Sequence, residues 1–168
     1  MKNISIEIKW ALIFVIIQLL WMMLERMAGL HGENIDKHAT FTNFFAIPAI
    51  AVYVIALLDK RKNHYGGFMT YKQGFISGLI ITIIVTILSP LTQYTASTVI
   101  SPNYFQNAID YAVSSGKLPQ EAAETYYSLK SYIIQGLIGA PIMGIITTAI
   151  VALFTRKNNK PETAGVAQ

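Results

Sequence analysis

Two shortages characterise this sequence before any motif is considered: it has no cysteine and few charged residues. Without cysteine the chain has no disulfide bridges, no zinc–thiolate site and no catalytic thiol. Charged residues make up 13% of its 168 positions, against about 25% in an ordinary soluble domain. Hydrophobic residues reach 53%, so the chain is too apolar to be disordered and has too little charge to cover a soluble surface. These shortages indicate a small integral membrane protein.

Four apolar segments are long enough to cross a bilayer, which requires about 20 residues in a helix. They cover about residues 8–26, 41–58, 74–93 and 131–154. Backbone groups in lipid must be hydrogen-bonded within the protein, which favours helices, and the alternating apolar–polar segments of a membrane barrel are missing from the sequence. We therefore predict an all-α fold, a four-helix transmembrane bundle that forms one domain over residues 1–157 and is followed by a tail at 158–168.

The basic residues are distributed unevenly between the two sides of this bundle. Nine of the thirteen precede span one, separate spans two and three, or follow span four. These are Lys2, Lys9, Lys60, Arg61, Lys62, Lys72, Arg156, Lys157 and Lys160. Because cytoplasmic segments carry the excess of Lys and Arg, we expect both termini to be cytoplasmic, in the inner membrane of a bacterium. The net charge of +4 then reflects orientation, and no nucleic-acid partner is expected.

The long segment between spans three and four predicts a helical hairpin on the outer side, at about residues 102–130. Ser101 and Pro102 are typical of a helix start, and Gly116 is expected to end that first helix. Pro119 begins a second helix that is predicted to continue without a break into span four. Tyrosines throughout this hairpin suit the depth of the membrane interface.

Several short motifs resemble those of a known family. The segment entering span three combines Gly67 and Thr70 with Gly74-Phe75. The element Ser101-Pro102-Asn103-Tyr104-Phe105 follows span three, and the sequence LPQEAAE precedes span four. Over about Trp10 to Lys157 the chain resembles a family of small four-span bacterial membrane proteins, common in Bacteroidetes and described only as a domain of unknown function. The resemblance implies the four-span architecture and carries over no activity, ligand or catalytic residue.

Small residues and prolines characterise the last two spans. A small residue recurs every four positions on each: Gly74, Gly78, Thr82 and Thr86 on span three, and Gly136, Ala140, Gly144, Thr148 and Ala152 on span four. This spacing lets two helices approach closely, either span three on span four or two copies of the chain in a dimer. Pro48 and Pro90 lie in or near spans, and Pro141 in mid-span predicts a kink that is either a static bend or a gating hinge.

Polar residues in and beside the spans give little indication of chemistry. No charge lies deep in a predicted span, which argues against an ion-coupled transporter; Glu25 and Arg26 stand at the outer end of span one. The uncharged polar residues are Gln18, Asn43, Gln93 and Gln135. In the first outer loop, His31, Glu33, Asp36 and His38 supply nitrogen and oxygen atoms of the type that binds zinc. Their spacing matches no metal motif, and an ordinary solvated loop contains the same residues.

Enzyme signatures such as a phosphate-binding loop or a nucleophile elbow are missing from the sequence. We therefore predict no catalytic, cofactor-binding or metal-binding residue and no enzyme activity. The leading hypothesis is a membrane protein that acts through helix–helix or protein–protein contacts in the lipid bilayer, as a homo-oligomer or with another membrane protein. The alternative is a small transporter or channel component. A metal-responsive sensor that uses His31 and His38 is a third hypothesis.

Overall fold

The computed structural model describes residues 4–158. The chain forms seven α-helices in this range, together with a 3₁₀ turn at Thr42–Phe45 and a π-helical turn at Ala96–Ile100. The helices are α1 (Ser5–Met27), α2 (Ile35–Phe41), α3 (Ala46–Asn63), α4 (Tyr71–Thr95), α5 (Tyr104–Ser114), α6 (Gln120–Tyr126) and α7 (Leu129–Thr155). Apart from Asn158, the predicted tail lies outside the described residues.

The predicted all-α fold is confirmed, with four helical stretches long and apolar enough to cross a membrane. They are Ser5–Met27, Ile35–Asn63, Tyr71–Ile100 and Leu129–Thr155. Within residues 4–158 the chain has no β-strand, only an isolated antiparallel bridge between Met69 and Lys157. We call the end of the bundle with this bridge the terminal end, and the end that carries α2, α5 and α6 the hairpin end.

Small residues bring α4 and α7 together within one chain, as one of the two predicted arrangements requires. A methyl group added at Gly78 would come within 2.4 Å of Thr148 Cγ2, and one added at Gly144 would come within 2.4 Å of Thr82 Cγ2. The threonine of each helix therefore packs directly against the glycine of the other helix. The Tyr53 hydroxyl on α3 lies 2.8 Å from Thr82 Oγ1 and joins a third helix to this contact.

Two prolines lie inside continuous helices, Pro90 in α4 and Pro141 in α7. A proline at position 90 leaves the carbonyl of Thr86 without its usual backbone donor. The Ser89 hydroxyl donates to that carbonyl at 2.9 Å, which compensates for the missing bond in the way common in membrane helices. Pro48 is the third residue of α3, where the first turn has no intrahelical partner for its nitrogen.

The segment between α4 and α7 forms two helices, as predicted, but their boundaries differ from the expectation. α5 begins after Asn103 rather than after Ser101, and Gly116 follows it with φ +69°. The prediction of an unbroken helix into span four is wrong, because α6 ends at Tyr126 and α7 starts at Leu129. Ser128 separates them in an extended conformation, where its hydroxyl accepts a hydrogen bond from the Ser131 amide at 3.3 Å and so caps α7.

Apolar side chains cover the outside of the bundle, as expected of a protein in a bilayer. Large hydrophobic residues on all four spans are well exposed, among them Ile16, Ile47, Ile87 and Met143 at 56%, 69%, 68% and 60%. The buried core, by contrast, contains many small and hydroxylic residues. This distribution is that of a bundle whose helices pack through small residues and whose large side chains face lipid.

Candidate functional site

The hairpin end contains a cavity of about 330 Å³ where five helices and two helical turns converge. Among its lining residues are Gln18, Met22 and Glu25 from α1, His38 from α2, Gln93 from α4, Tyr104 and Phe105 from α5, and Tyr132 and Gln135 from α7. His31, Thr42, Ala96, Ser97 and Ser101 complete the lining. The cavity thus collects three of the four polar amides that the sequence singled out. Asn43 lies elsewhere, where its side chain donates to the Ala39 carbonyl at 2.8 Å.

Glu25, His31 and His38 form a compact cluster in this cavity. Glu25 Oε2 lies 3.4 Å from His31 Nε2 and 3.7 Å from His38 Nε2. The side chains of Glu25, His31 and His38 are only 5%, 9% and 18% exposed. One nitrogen or oxygen atom from each residue lies within 4.8 Å of the others, which is close enough for the three to share a metal ion.

A tight turn after α1 brings the two histidines back over Glu25. The Leu30 amide donates to the Glu25 carbonyl at 2.9 Å, and the Gly29 amide donates to the Arg26 carbonyl at 3.0 Å. This pair of bonds is the Schellman motif, which needs a left-handed residue at its turn, and Gly29 has φ +75°. A methyl group at Gly29 would also meet Asn34 Nδ2 at 2.9 Å. Glycine at this position therefore lets the chain reverse directly beside Glu25.

Neighbouring aromatic side chains orient the cluster. The indole Nε1 of Trp21 donates to Glu25 Oε1 at 2.8 Å. The Tyr104 hydroxyl lies 3.4 Å from His38 Nδ1 and 3.0 Å from the Tyr132 hydroxyl. Burial raises the pKa of Tyr104 to about 12, so its phenol stays protonated at neutral pH and acts as a hydrogen-bonding group.

One polar atom of the cluster is left without a partner. His31 Nδ1 is buried and has no hydrogen-bond partner among residues 4–158, although the Asn107 side chain holds the His31 carbonyl at 2.7 Å. An unpartnered buried polar atom costs about 1–3 kcal/mol. Native proteins usually satisfy such atoms with protein groups, water or a ligand. His31 is thus fixed through its backbone while its ring nitrogen lacks a protein partner.

The other residues that the sequence grouped with the two histidines lie apart from the cluster. Glu33 and Asp36 are exposed, and neither contributes to it. His64 is at the terminal end, where its ring packs 4.7 Å from that of Tyr65. Sequence reasoning missed Glu25 as a partner of the histidines. The available signal was an acidic residue in the last turn of a span, directly before a histidine-containing loop.

A second buried ionic group lies at the terminal end. α1 begins at Ser5, three residues before the predicted span, and so brings Glu7 into the bundle. Lys60 Nζ lies 2.9 Å from Glu7 Oε1 and 3.1 Å from Glu7 Oε2, and the Ser77 hydroxyl donates to Oε1 at 2.7 Å. Glu7 and Lys60 are 1% and 3% exposed. Here a carboxylate and an ammonium neutralise each other directly.

Comparisons with known proteins identify a family but give no function. Residues 9–157 match the family model described as Protein of unknown function (DUF4199). No curated protein matches the chain, and no solved structure matches it. The matched range includes all four candidate spans almost completely, together with the whole cavity at the hairpin end. The chain therefore belongs to the DUF4199 family, whose members share a domain of unknown function.

Proposed function

We propose that this protein is a ligand-binding membrane protein of the bacterial inner membrane that acts by binding rather than by catalysis. In this proposal its cavity at the hairpin end faces the periplasmic side of that membrane, and both termini are cytoplasmic. The orientation rests on the nine basic residues that precede span one, separate spans two and three, or follow span four in the sequence, according to the positive-inside rule. The hairpin of α5 and α6 then lies on the outer surface.

The observation that carries the proposal is the cavity with the polar side chains that line it. Its volume of about 330 Å³ falls in the range of small-molecule sites, about 300–1,000 Å³. Four polar residues on three different spans line it: Gln18, Glu25, Gln93 and Gln135. Because polar side chains are costly to place inside a membrane bundle, they usually mark a functional site. Gln18 lies two turns below Glu25, which at 1.5 Å per residue is roughly 10 Å deeper in α1. The cavity thus reaches from the loop into the bundle.

The absence of cysteine allows a direct test of cavity access. A single Ser97→Cys substitution places a thiol in the cavity lining, with no other cysteine in the chain to react. In intact spheroplasts, a membrane-impermeant maleimide should label Ser97→Cys and also Ser114→Cys, an exposed residue of the hairpin. It should label Lys62→Cys, exposed at the terminal end, only after lysis.

The same experiment contains its own controls. Ala152→Cys lies in the core at 0% exposure and should stay unlabelled in spheroplasts and in the lysate. If Ser114→Cys reacts in spheroplasts while Ser97→Cys does not, the cavity is closed to the outside and the proposal fails. If Lys62→Cys reacts before lysis, the proposed orientation is reversed.

The structure gives less support than the sequence did to the hypothesis that the protein acts through helix–helix or protein–protein contacts. That hypothesis relied on small-residue faces, and Gly78 and Gly144 already receive threonines of the same chain. A stoichiometric partner or a defined oligomer recovered in mild detergent would restore it. A cavity that reaches as far as Gln18 in α1 favours transport as a second candidate. Vesicles with the reconstituted chain should then take up urea or glycerol faster than vesicles without it.

A further inference from the structure

We propose that Glu25, His31 and His38 bind a divalent transition-metal ion of the zinc class in the cavity at the hairpin end. The inference rests on the proposed ligand-binding role and names the ligand of that same site. Glu25, His31 and His38 supply the metal ligands, and Trp21 and Tyr104 position them.

The distances within the cluster fit a tetrahedral ion. Bonds of about 2.0–2.2 Å to nitrogen and oxygen place any two ligand atoms of a tetrahedral zinc about 3.4 Å apart. Glu25 Oε2 lies 3.4 Å from His31 Nε2 and 3.7 Å from His38 Nε2. These separations are longer than an ordinary N–H···O hydrogen bond of about 2.9 Å. Both separations from Glu25 Oε2 are therefore close to the spacing of ligands around a shared tetrahedral centre, and all three ligand atoms lie within 4.8 Å of one another.

The types of ligand atom select the class of metal. Two imidazoles and one carboxylate form a mixed nitrogen–oxygen set, which suits zinc and its neighbours in the first transition row. Calcium and magnesium prefer sets of oxygen ligands, and thiolate-dependent sites are excluded because the chain has no cysteine. Three protein ligands leave a fourth tetrahedral position, which a water molecule or a further ligand from the cavity can occupy.

The surrounding hydrogen bonds prepare two of the three ligands. Trp21 holds Glu25 Oε1 at 2.8 Å and leaves Oε2 directed at both histidines. Tyr104 lies against His38 Nδ1, so an Nδ1–H donated to that hydroxyl leaves the Nε2 lone pair free for a metal. Metal-binding histidines and carboxylates are commonly fixed by such partners, whose loss lowers affinity by about 10–100-fold.

His31 is the more deeply buried of the two histidines. Its side chain is nine-tenths buried, with Nε2 facing Glu25 Oε2. Its other ring nitrogen, Nδ1, has no hydrogen-bond partner among residues 4–158, so an ion on Nε2 would leave Nδ1–H to donate to a water molecule. The buried Glu25 carboxylate beside it has no lysine or arginine paired with it in that part of the chain, and a divalent cation would neutralise it.

Metal titration of the purified chain tests the inference. The full-length protein, freed of any histidine tag, is titrated in mild detergent with Zn²⁺ by calorimetry and with Co²⁺ by visible spectroscopy. We expect one ion per chain, a tetrahedral Co²⁺ spectrum, and no competition from Mg²⁺. Glu25→Gln and His38→Gln should each lower the affinity at least about tenfold. Tyr104→Phe should weaken binding less than the loss of a ligand does.

Matched controls come from the same chain. Glu33→Gln alters an acidic residue of the same loop, and His64→Gln alters a histidine at the other end; both should bind Zn²⁺ like the wild type. Zn²⁺ should also raise the Tm of the wild type and of these controls, but not that of His38→Gln. Because His38 is partly buried, the substitution His38→Gln could disturb folding, so the fold of this variant is checked first by circular dichroism.

Two outcomes overturn the inference. One is a wild type that binds no Zn²⁺, and the other is binding that Glu25→Gln and His38→Gln leave unchanged while both fold normally. Access to the cavity is measured separately by labelling of Ser97→Cys. If that thiol is labelled from outside and Zn²⁺ does not bind, the metal inference fails and the ligand-binding cavity stands. If the thiol is closed to the reagent, the proposed function fails whatever the titration shows.

Discussion

The contact between α4 and α7 allows a quantitative test of how the bundle is held together. An alanine at position 78 would place its Cβ 2.4 Å from Thr148 Cγ2 and 2.7 Å from Thr148 Oγ1. Carbon atoms in contact prefer about 3.5–4.0 Å, so the two helices would have to separate by more than about 1 Å at this point. Overpacking of this kind costs about 1–3 kcal/mol. We expect Gly78→Ala to lower the free energy of unfolding by that amount.

The free energy of unfolding can be measured by titrating the protein in mild detergent with SDS and following tryptophan fluorescence. Gly139→Ala is the matched control, because a methyl group at Gly139 meets no atom within 4 Å although the residue lies on the same helix as Thr148. A second substitution, Thr148→Ala, removes Cγ2 and Oγ1 but leaves Thr148 Cβ at 3.0 Å. In the double variant it should therefore recover part of the stability.

The competing interpretation predicts a different result. If the small-residue faces join two copies of the chain, Gly78→Ala should change the oligomeric state and leave the unfolding of a monomer unchanged. Equal stability of Gly78→Ala and Gly139→Ala at low protein concentration would refute the intrachain contact as the source of stability. Loss of stability in Gly78→Ala, independent of concentration, would support it.

Two further predictions concern buried polar groups. Lys60→Met leaves the Glu7 carboxylate buried without its cation and should lower the free energy of unfolding by about 3–5 kcal/mol. In the same SDS titration, the double variant Lys60→Met/Glu7→Gln should recover most of this loss. Equal losses in the single and the double variant would contradict the pairing. The pKa of Tyr104 is raised to about 12 by burial, while an unfolded tyrosine ionises near pH 10. The stability that Tyr104 contributes is therefore complete below pH 10 and is lost as the pH rises towards 12, so Tyr104→Phe should lose less stability than the wild type between these values; parallel curves would contradict this.

The spans were predictable because a single physical constraint dominates them. A helix that crosses lipid requires about 20 apolar residues, and apolar runs of that length are easily recognised in a sequence. Their ends were less predictable. Glu7 lies just outside the predicted span one, and its burial depends on contacts with Lys60 and Ser77, 53 and 70 positions away. The break before α7 was missed because Ser128 acts as a cap, and its sequence neighbours are compatible with a continuous helix.

The candidate site was half visible in the sequence. His31 and His38 stood out as ligand types, but Glu33 and Asp36, the acidic residues nearest to them, are not their partners. The true partner, Glu25, depends on the reversal at Gly29, whose left-handed conformation fixes the direction in which the loop leaves α1. Tyr104, which contacts His38, lies on helix α5, more than sixty positions after His38 in the sequence. Only packing of the hairpin on the bundle brings these residues together.

The two buried ionic groups of this chain serve as controls for each other. At the terminal end, Glu7 has an ammonium at 2.9 Å and a hydroxyl at 2.7 Å, so its charge is met by protein atoms at hydrogen-bonding distance. At the hairpin end, Glu25 Oε1 accepts a hydrogen bond from the Trp21 indole at 2.8 Å, but the groups facing Oε2 are two imidazoles at 3.4 and 3.7 Å. The same fold can therefore neutralise a buried carboxylate completely when stability alone requires it. At Glu25 the separations to the imidazoles are longer and the carboxylate lines a cavity, an arrangement that the proposed metal ion would complete.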